Sequence, residues 1–265
     1  MLKKIITLTT DFGLTDPYVA EMKAVIIGIC PEAVIVDVTH GIEKFNVRMG
    51  AYMLACAARY FPRGTIHVAV VDPGVGTKRR ALLVQTQNFL YIGPDNGVLT
   101  LSAEKQDIVS VHDITNPRLR MQNVSDTFHG RDVFAPAAAY LANGVSPAAF
   151  GPELRSLMGP DFAEVAFKKG VLIGEVLHVD GFGNIVTNVN EKNLKRVHAK
   201  NLVCVDMQGQ SVRLSLAKTY AEAKPDEAVV LVGSQGYVEI AMNQDSAAAK
   251  FKVKPGDAIS LSSGD

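Results

Sequence analysis

Apolar and polar positions follow two different patterns along this chain. In the first half, short runs rich in Ile and Val give way to stretches with helical spacing and then return. Residues 5–9 read as a strand. Asp16 and Pro17 then stand as N-cap and first residue of a helix that continues to about Cys30, where Pro31 stops it. Residues 34–38 form a second strand, 47–60 a second helix, and 66–71 a third strand entered through Pro62-Arg63-Gly64. This β-α-β-α-β alternation predicts a mostly parallel sheet covered on both faces. Residues 81–85 and 89–92 read as a hairpin with the loop 93–97 after it, and 134–142 as a third helix ending at Asn143-Gly144.

Beyond Gly170 the helical spacing disappears. Short β-like runs at 171–177, 185–189, 202–206, 212–214, 229–232, 237–241 and 258–261 are separated by turn residues, the pattern of a small all-β barrel. The segment between the two patterns, residues 147–167, holds three prolines and little periodicity. The expected architecture is therefore an N-terminal α/β domain with a doubly covered, mostly parallel sheet (1–168), followed by a small all-β barrel domain (169–265). The chain's 265 residues are enough for two such cores.

Composition removes several function classes. Lys+Arg and Asp+Glu both number 27, so the electrostatic signature of a nucleic-acid or anionic-membrane binder is missing. The start Met1-Leu2-Lys3-Lys4-Ile5-Ile6 resembles the charged end of a signal peptide, but its apolar run is cut short by Asp11. No stretch is long enough to span a bilayer, and cytoplasm is the expected location. Cys30, Cys56 and Cys204 lie far apart in apolar surroundings and match no zinc or redox spacing, so they read as buried thiols. The Asp, Glu and His residues form no compact metal motif, and neither a metal nor a cofactor is expected.

Candidate chemistry gathers in three loops. The run Val70-Val71-Asp72-Pro73-Gly74-Val75-Gly76-Thr77-Lys78-Arg79-Arg80 follows a strand and sets a carboxylate, two glycines and a guanidinium on one turn. The others are Thr127-Phe128-His129-Gly130-Arg131-Asp132 and Asp180-Gly181-Phe182-Gly183-Asn184. Asp72, Arg79 and His129 suit one constellation in which a carboxylate orients a water and accepts its proton while an arginine steadies negative charge. Taken singly, each has a commoner structural explanation: a turn cap, a surface charge, a satisfied histidine. Asp11, after the first strand, sits where α/β folds often bind ribose hydroxyls, and a turn role fits it equally well. Phe45 and Phe182 offer rings for a flat base, although burial at a strand end is the commoner use of such residues. Gly74-Val75-Gly76 lacks both the Walker lysine and the dinucleotide fingerprint.

In order, Thr10-Asp11-Phe12-Gly13, residues 70–80, Phe128-His129-Gly130-Arg131-Asp132, residues 180–188 and residues 233–243 resemble the S-adenosyl-L-methionine (SAM) hydrolase family, the SAM hydroxide adenosyltransferases, which are related to SAM-dependent fluorinases and chlorinases. The resemblance spans nearly the whole chain. It implies hydrolysis of SAM to adenosine and L-methionine. It also implies a homotrimer whose sites lie between the N-terminal domain of one subunit and the C-terminal domain of the next. Carried over by position, the family's Asp-Arg-His set falls on Asp72, Arg79 (with Arg80 directly beside it) and His129, and its ribose-binding aspartate on Asp11. Phe45 takes the place of the aromatic wall of the nucleoside pocket. Asp180, Phe182 and Asn184, with Ser234, Tyr237 and Asn243, fall on the segments holding the methionine and adenine parts. Ser234-Gln235 stands where the fluorinase has a serine-arginine pair. The halide-using relatives have Tyr in place of Asp72, and the fluorinase has Ser in place of Gly130, so the resemblance favours water over halide as nucleophile. A SAM- or adenosine-binding sensor and a halogenase are the competing readings.

Overall fold

In the computed structural model, which describes residues 4–159, 162 and 164–264, the chain divides into two compact units, Met1–Asp161 and Phe162–Asp265. The first unit is built on strands β1 (Ile5–Thr10), β2 (Val34–Thr39), β3 (Ile66–Val70), β4 (Ala81–Thr86), β5 (Leu90–Pro94) and β6 (Ile108–Asp113). They form one sheet in the order β2-β1-β3-β5-β4-β6. The pairs β1–β2, β1–β3 and β3–β5 are parallel, while β4 runs antiparallel to β5 and β6. The helices are α1 (Tyr18–Ile29), α2 (Val47–Ala58), the single turn α3 (Thr100–Ala103) and α4 (Ala135–Ala142).

Side-chain alternation along β3 shows how the sheet is covered. Val68 and Val70 join Ile6, Leu8, Met22, Ile26 and Phe134 in one core, beneath α1 and α4. Ala69 and Val71 point the other way, into a second core with Leu54, Ala58, Leu82 and Tyr91 beneath α2. β3 is thus buried on both faces, which explains its continuous apolar run. The expected α/β domain is present. Three local details differ from the sequence reading. Pro17 occupies the cap position of α1 and no side-chain cap bond forms, so Asp16 does not cap it. α2 ends at Ala58, before Tyr60. Cys56 and Cys204 are only partly buried, whereas Cys30 is fully enclosed.

The second unit contains β7 (Ala166–Lys168), β8 (Val171–Val179), β9 (Ile185–Asn190), α5 (Glu191–Lys195), β10 (Leu202–Met207), β11 (Gln210–Leu216), β12 (Ala228–Val232), β13 (Tyr237–Met242), α6 (Ala247–Phe251) and β14 (Ala258–Ser263). The order β14-β10-β11-β12-β13-β9-β8 closes on itself through pairing of β14 with β8, giving a seven-stranded barrel. Closure removes the free strand edges. Its interior is filled by Val176, Ile185, Val203, Val205, Val230, Val238, Ile240 and Leu261. These seven strands are the seven β-like runs of the sequence. β7 pairs with the outer part of β8, so Ala166–Lys168 go with the barrel and not with the first unit, where the expected boundary at 168/169 left them.

Candidate functional site

The parallel strands β1, β2 and β3 end at the same edge of the sheet, with Thr10 in register with Val70 and Thr9 with Thr39. The loops that follow therefore rise side by side, at the edge where open α/β sheets bind ligands. They carry Asp11 from β1, Lys44 and Phe45 from β2, and Asp72 from β3. Together with Phe12, Tyr18, Thr127, Phe128 and His129 they line a cleft of about 400 Å³. Asp11 is buried, and its carboxylate accepts a hydrogen bond from the Phe45 N–H at 2.9 Å. Phe45 reaches this geometry in the left-handed region, φ +66°, unusual for an aromatic residue. Its ring is 69% exposed, so it walls the cleft instead of filling a core. Phe12, Tyr18 and Phe128 meet edge to face, with centroids 5.2–5.9 Å apart, and form the apolar side of the cleft.

Asp72, Arg79 and His129 come together. Arg79 Nε donates to Asp72 Oδ1 at 2.9 Å and to Oδ2 at 3.0 Å, and Nη2 also donates to Oδ2. The same Nη2 lies 2.8 Å from His129 Nδ1. Side-chain exposure of Arg79 and Asp72 is 10% and 6%, so neither is a solvated surface charge. Arg80 turns away to Asp95, donating from Nε at 2.7 Å, so of the two adjacent arginines it is Arg79 that bonds Asp72 and His129. Two devices hold the loops. Gly76 adopts φ +75° and lies so close to the Asp126 carbonyl that a Cβ would collide with it. His129 enters a π-helical turn, Gly130–Phe134, and the Phe134 ring of that turn sits 5.3 Å from the Arg79 guanidinium.

Protonation follows from this geometry. An arginine only donates, so His129 Nδ1 accepts and the ring proton sits on Nε2. Burial, and next the Arg79 charge, hold the His129 pKa below its ordinary 6.5, against opposing pulls from Asp72, Asp132 and Asp126. Among the described residues no group of three or more His, Cys, Asp or Glu side chains is placed to hold a metal ion.

The barrel unit has a cavity of its own, of about 730 Å³, lined by Asp180, Phe182, Asn184, Tyr220, Met242, Asn243 and residues 244–246. Asp180 shapes the loop around itself. Oδ1 accepts from the N–H groups of Phe182 and Asn184, both at 2.9 Å, and Oδ2 from the Asn184 amide at 2.8 Å. Phe182 is 84% exposed, again the opposite of a core aromatic. Gly183, at φ +83°, presses against Ser246, which caps α6. Tyr220 donates its hydroxyl to the buried Glu239 at 2.8 Å. Burial and then the neighbouring Glu239 and Asp180 carboxylates push Tyr220 up to about 12. Glu239 is likewise raised, by burial first and by Asp180.

Of the residues singled out in the sequence, Asp11, Phe45, Asp72 and His129 line the first cleft, with Arg79 bonded to two of them. Asp180, Phe182, Asn184 and Asn243 line the second, while Ser234 and Tyr237 are not among its lining residues. Tyr220, Glu239, Lys44 and the Phe12–Tyr18–Phe128 group were not foreseen. Phe12 and Phe128 flank Asp11 and His129 in the sequence, a signal that was available there; Tyr220 and Glu239 lie 19 residues apart on separate elements and gave none.

Comparison with known proteins agrees with this division. The model of the SAM hydroxide adenosyltransferase N-terminal domain matches residues 6–151, and that of the C-terminal domain matches residues 174–260. The chain is 38% identical to the (R)-S-adenosyl-L-methionine hydrolase of Salinispora arenicola, over 98% of both chains. It is 28% identical to a fluorinase from Actinopolyspora mzabensis, covering 97% of this chain and 96% of that one. Among solved structures it is similar to an uncharacterized conserved protein from Thermotoga maritima, with a TM-score of 0.91 and 38% identity over 97% of this chain and 99% of the other.

Proposed function

The chain belongs to the SAM hydroxide adenosyltransferase family, and from that premise we propose that it hydrolyses S-adenosyl-L-methionine to adenosine and L-methionine by attack of one water on C5′. The enzyme is a hydrolase whose substrate brings its own leaving group. The sulfonium departs as the neutral thioether of methionine, so no acid is needed. The O–C5′ bond forms, the C5′–S pair returns to sulfur, and one water proton must be removed.

The observation that carries the reading is the Asp72–Arg79–His129 array at the cleft that also holds Asp11. Free water has a pKa of about 15.7 and supplies little hydroxide. As its oxygen bonds to carbon, however, it becomes strongly acidic, and a carboxylate tied to an arginine is base enough to take the proton. Asp72 fills that role, Arg79 fixes its orientation and steadies its charge, and His129 offers its Nε2–H to the water. Holding water and C5′ in line contributes roughly 7–11 kcal/mol in well-oriented systems. Asp11 takes the ribose hydroxyls and Phe45 walls the nucleoside. Asp180, Phe182, Asn184 and Asn243 receive the methionine and adenine parts, with Ser234 and Tyr237 beside them in sequence. The family resemblance implies a homotrimer for this assembly. An anionic Asp72 repels halide, and Gly130 leaves no hydroxyl to hold one. Purified protein incubated with SAM and chloride should yield adenosine and methionine by chromatography. SAM surviving unchanged for hours would favour a sensor, and 5′-chloro-5′-deoxyadenosine would favour a halogenase.

A further inference from the structure

The turn that carries Asp11 is clamped by the segment leaving β2, and two of the four bonds in the clamp come from one residue with no role so far. His40 donates nothing to the cleft itself. Its carbonyl accepts from the Gly13 N–H at 2.8 Å, and its Nδ1 lies 2.8 Å from the Thr10 hydroxyl. The other two bonds run from Lys44 Nζ to the Asp11 carbonyl at 2.6 Å and from the Phe45 N–H to the Asp11 carboxylate. His40 thus holds the residue before Asp11 by its ring and the second residue after it by its backbone.

The His40 ring has polar neighbours on both sides. Thr10 Oγ1 accepts from the Phe12 N–H at 3.2 Å and shares a second hydrogen bond with His40 Nδ1, so the hydroxyl links the ring to the turn. On the other side of the ring, Nε2 lies 3.1 Å from Asp37 Oδ1. Lys23 of α1 holds the other oxygen of Asp37 at 2.6 Å. A line of polar groups therefore runs from α1 through Asp37 and His40 to Thr10 and the Phe12 amide. Thr10 is fully buried and His40 nearly so. Apolar side chains would fill that space without the cost of satisfying buried polar atoms, and directional bonds are what they could not supply.

We propose that His40 is a positioning residue for the reaction: acting through Thr10, it fixes the turn so that the Asp11 carboxylate meets the ribose hydroxyls. The inference rests on the assignment of Asp11 to the ribose. Hydrogen bonds hold a group to within the narrow angular range that a site requires, and two bonds flanking Asp11 do this where packing alone would leave the turn free to tilt.

The test compares adenosine with 2′,3′-dideoxyadenosine, which lacks the hydroxyls, by calorimetry on the full-length wild type and three variants. Asp11→Ala should reduce the preference for adenosine, and His40→Ala and Thr10→Val should each reduce it about tenfold, the scale of one well-placed hydrogen bond. Binding of the dideoxy compound should stay within about twofold of wild type. Thr10→Val is close to isosteric and decides the matter should His40→Ala fail to fold. Equal weakening of both ligands, or of neither, in the His40 and Thr10 variants overturns the proposal while Asp11 keeps its role. A preference that survives Asp11→Ala overturns the ribose assignment and this inference with it.

Discussion

The cleft of the α/β unit and the cavity of the barrel unit hold their titratable groups in opposite ways. In the first, burial and the Arg79 cation push His129 down, so the imidazole is neutral and accepts from the guanidinium. In the second, burial and the Asp180 carboxylate push Glu239 and Tyr220 up, and no Lys or Arg is among the lining residues. On the proposed reading, the α/β cleft serves to remove a proton from a water beside a paired carboxylate. On the same reading, the barrel cavity, with its carboxylates and no cation among the lining residues, serves to accept positive charge. The proposed reaction needs both, since the sulfonium and ammonium charges of SAM must be held while its ribose carbon is attacked. The contrast separates the chemical step from recognition of the substrate's positive charge, and the proposal predicts that each can be disturbed without the other.

Asp72→Asn breaks the chemical side most completely. Asparagine can still accept from Arg79, so the loop keeps its shape, but the proton acceptor is gone. Turnover should fall about 10²–10⁴-fold, the usual scale for an acid–base residue, with SAM affinity little changed. Single-turnover conversion and equilibrium binding measured on the same variant check this. Unaltered turnover would remove Asp72 from the reaction.

Acidity is the next lever, and it acts on the first cleft in a calculable direction. The folded pKa of His129 lies below the ordinary 6.5. Above 6.5 the ring is neutral in both folded and unfolded chains, and its contribution to stability is complete. As pH falls through the folded value the ring gains a proton in the folded state as well, Nδ1 can no longer accept from Arg79, and that contribution is lost. The activity profile should run flat through pH 7 and fall only below 6.5, by about tenfold per unit once His129 titrates. A decline that begins above 6.5 would mean that another group controls the rate.

The two units also differ in how much of them can be read from the chain. All seven barrel strands are legible as local runs because inside–outside alternation and turn residues are local signals. Closure through β14 and β8, with 78 residues between Val179 and Ala258, has no local signal, and neither does the three-residue β7. In the α/β unit the loops after β1 and β3 announce Asp11 and Asp72 by position. Which of Arg79 and Arg80 bonds Asp72 and His129 depends on Asp95, a residue on a different strand's exit loop. The exposed rings of Phe45 and Phe182 reverse the usual expectation for aromatics at strand ends; the sequence offers both uses, and the three-dimensional arrangement has them lining cavities. His40 is a lone histidine in the sequence, and its value lies in contacts 27 to 30 residues away.

Recognition in the barrel gives the smallest expected change and the cleanest control on the contrast. In Asp180→Asn the carbonyl oxygen can keep the two backbone bonds that Oδ1 accepts from Phe182 and Asn184. The Asn184 amide can turn to offer its oxygen to the new Nδ2, so the loop survives and only the charge is lost. SAM, which carries an ammonium and a sulfonium, should then bind about tenfold more weakly, the worth of one charge-assisted contact. Adenosine, which has no cation, should bind as in the wild type. The expected signature is a raised KM for SAM with kcat nearly constant, the reverse of Asp72→Asn. Should kcat fall while KM holds, the barrel cavity takes part in the chemical step, and the separation of chemistry from recognition between the two units fails.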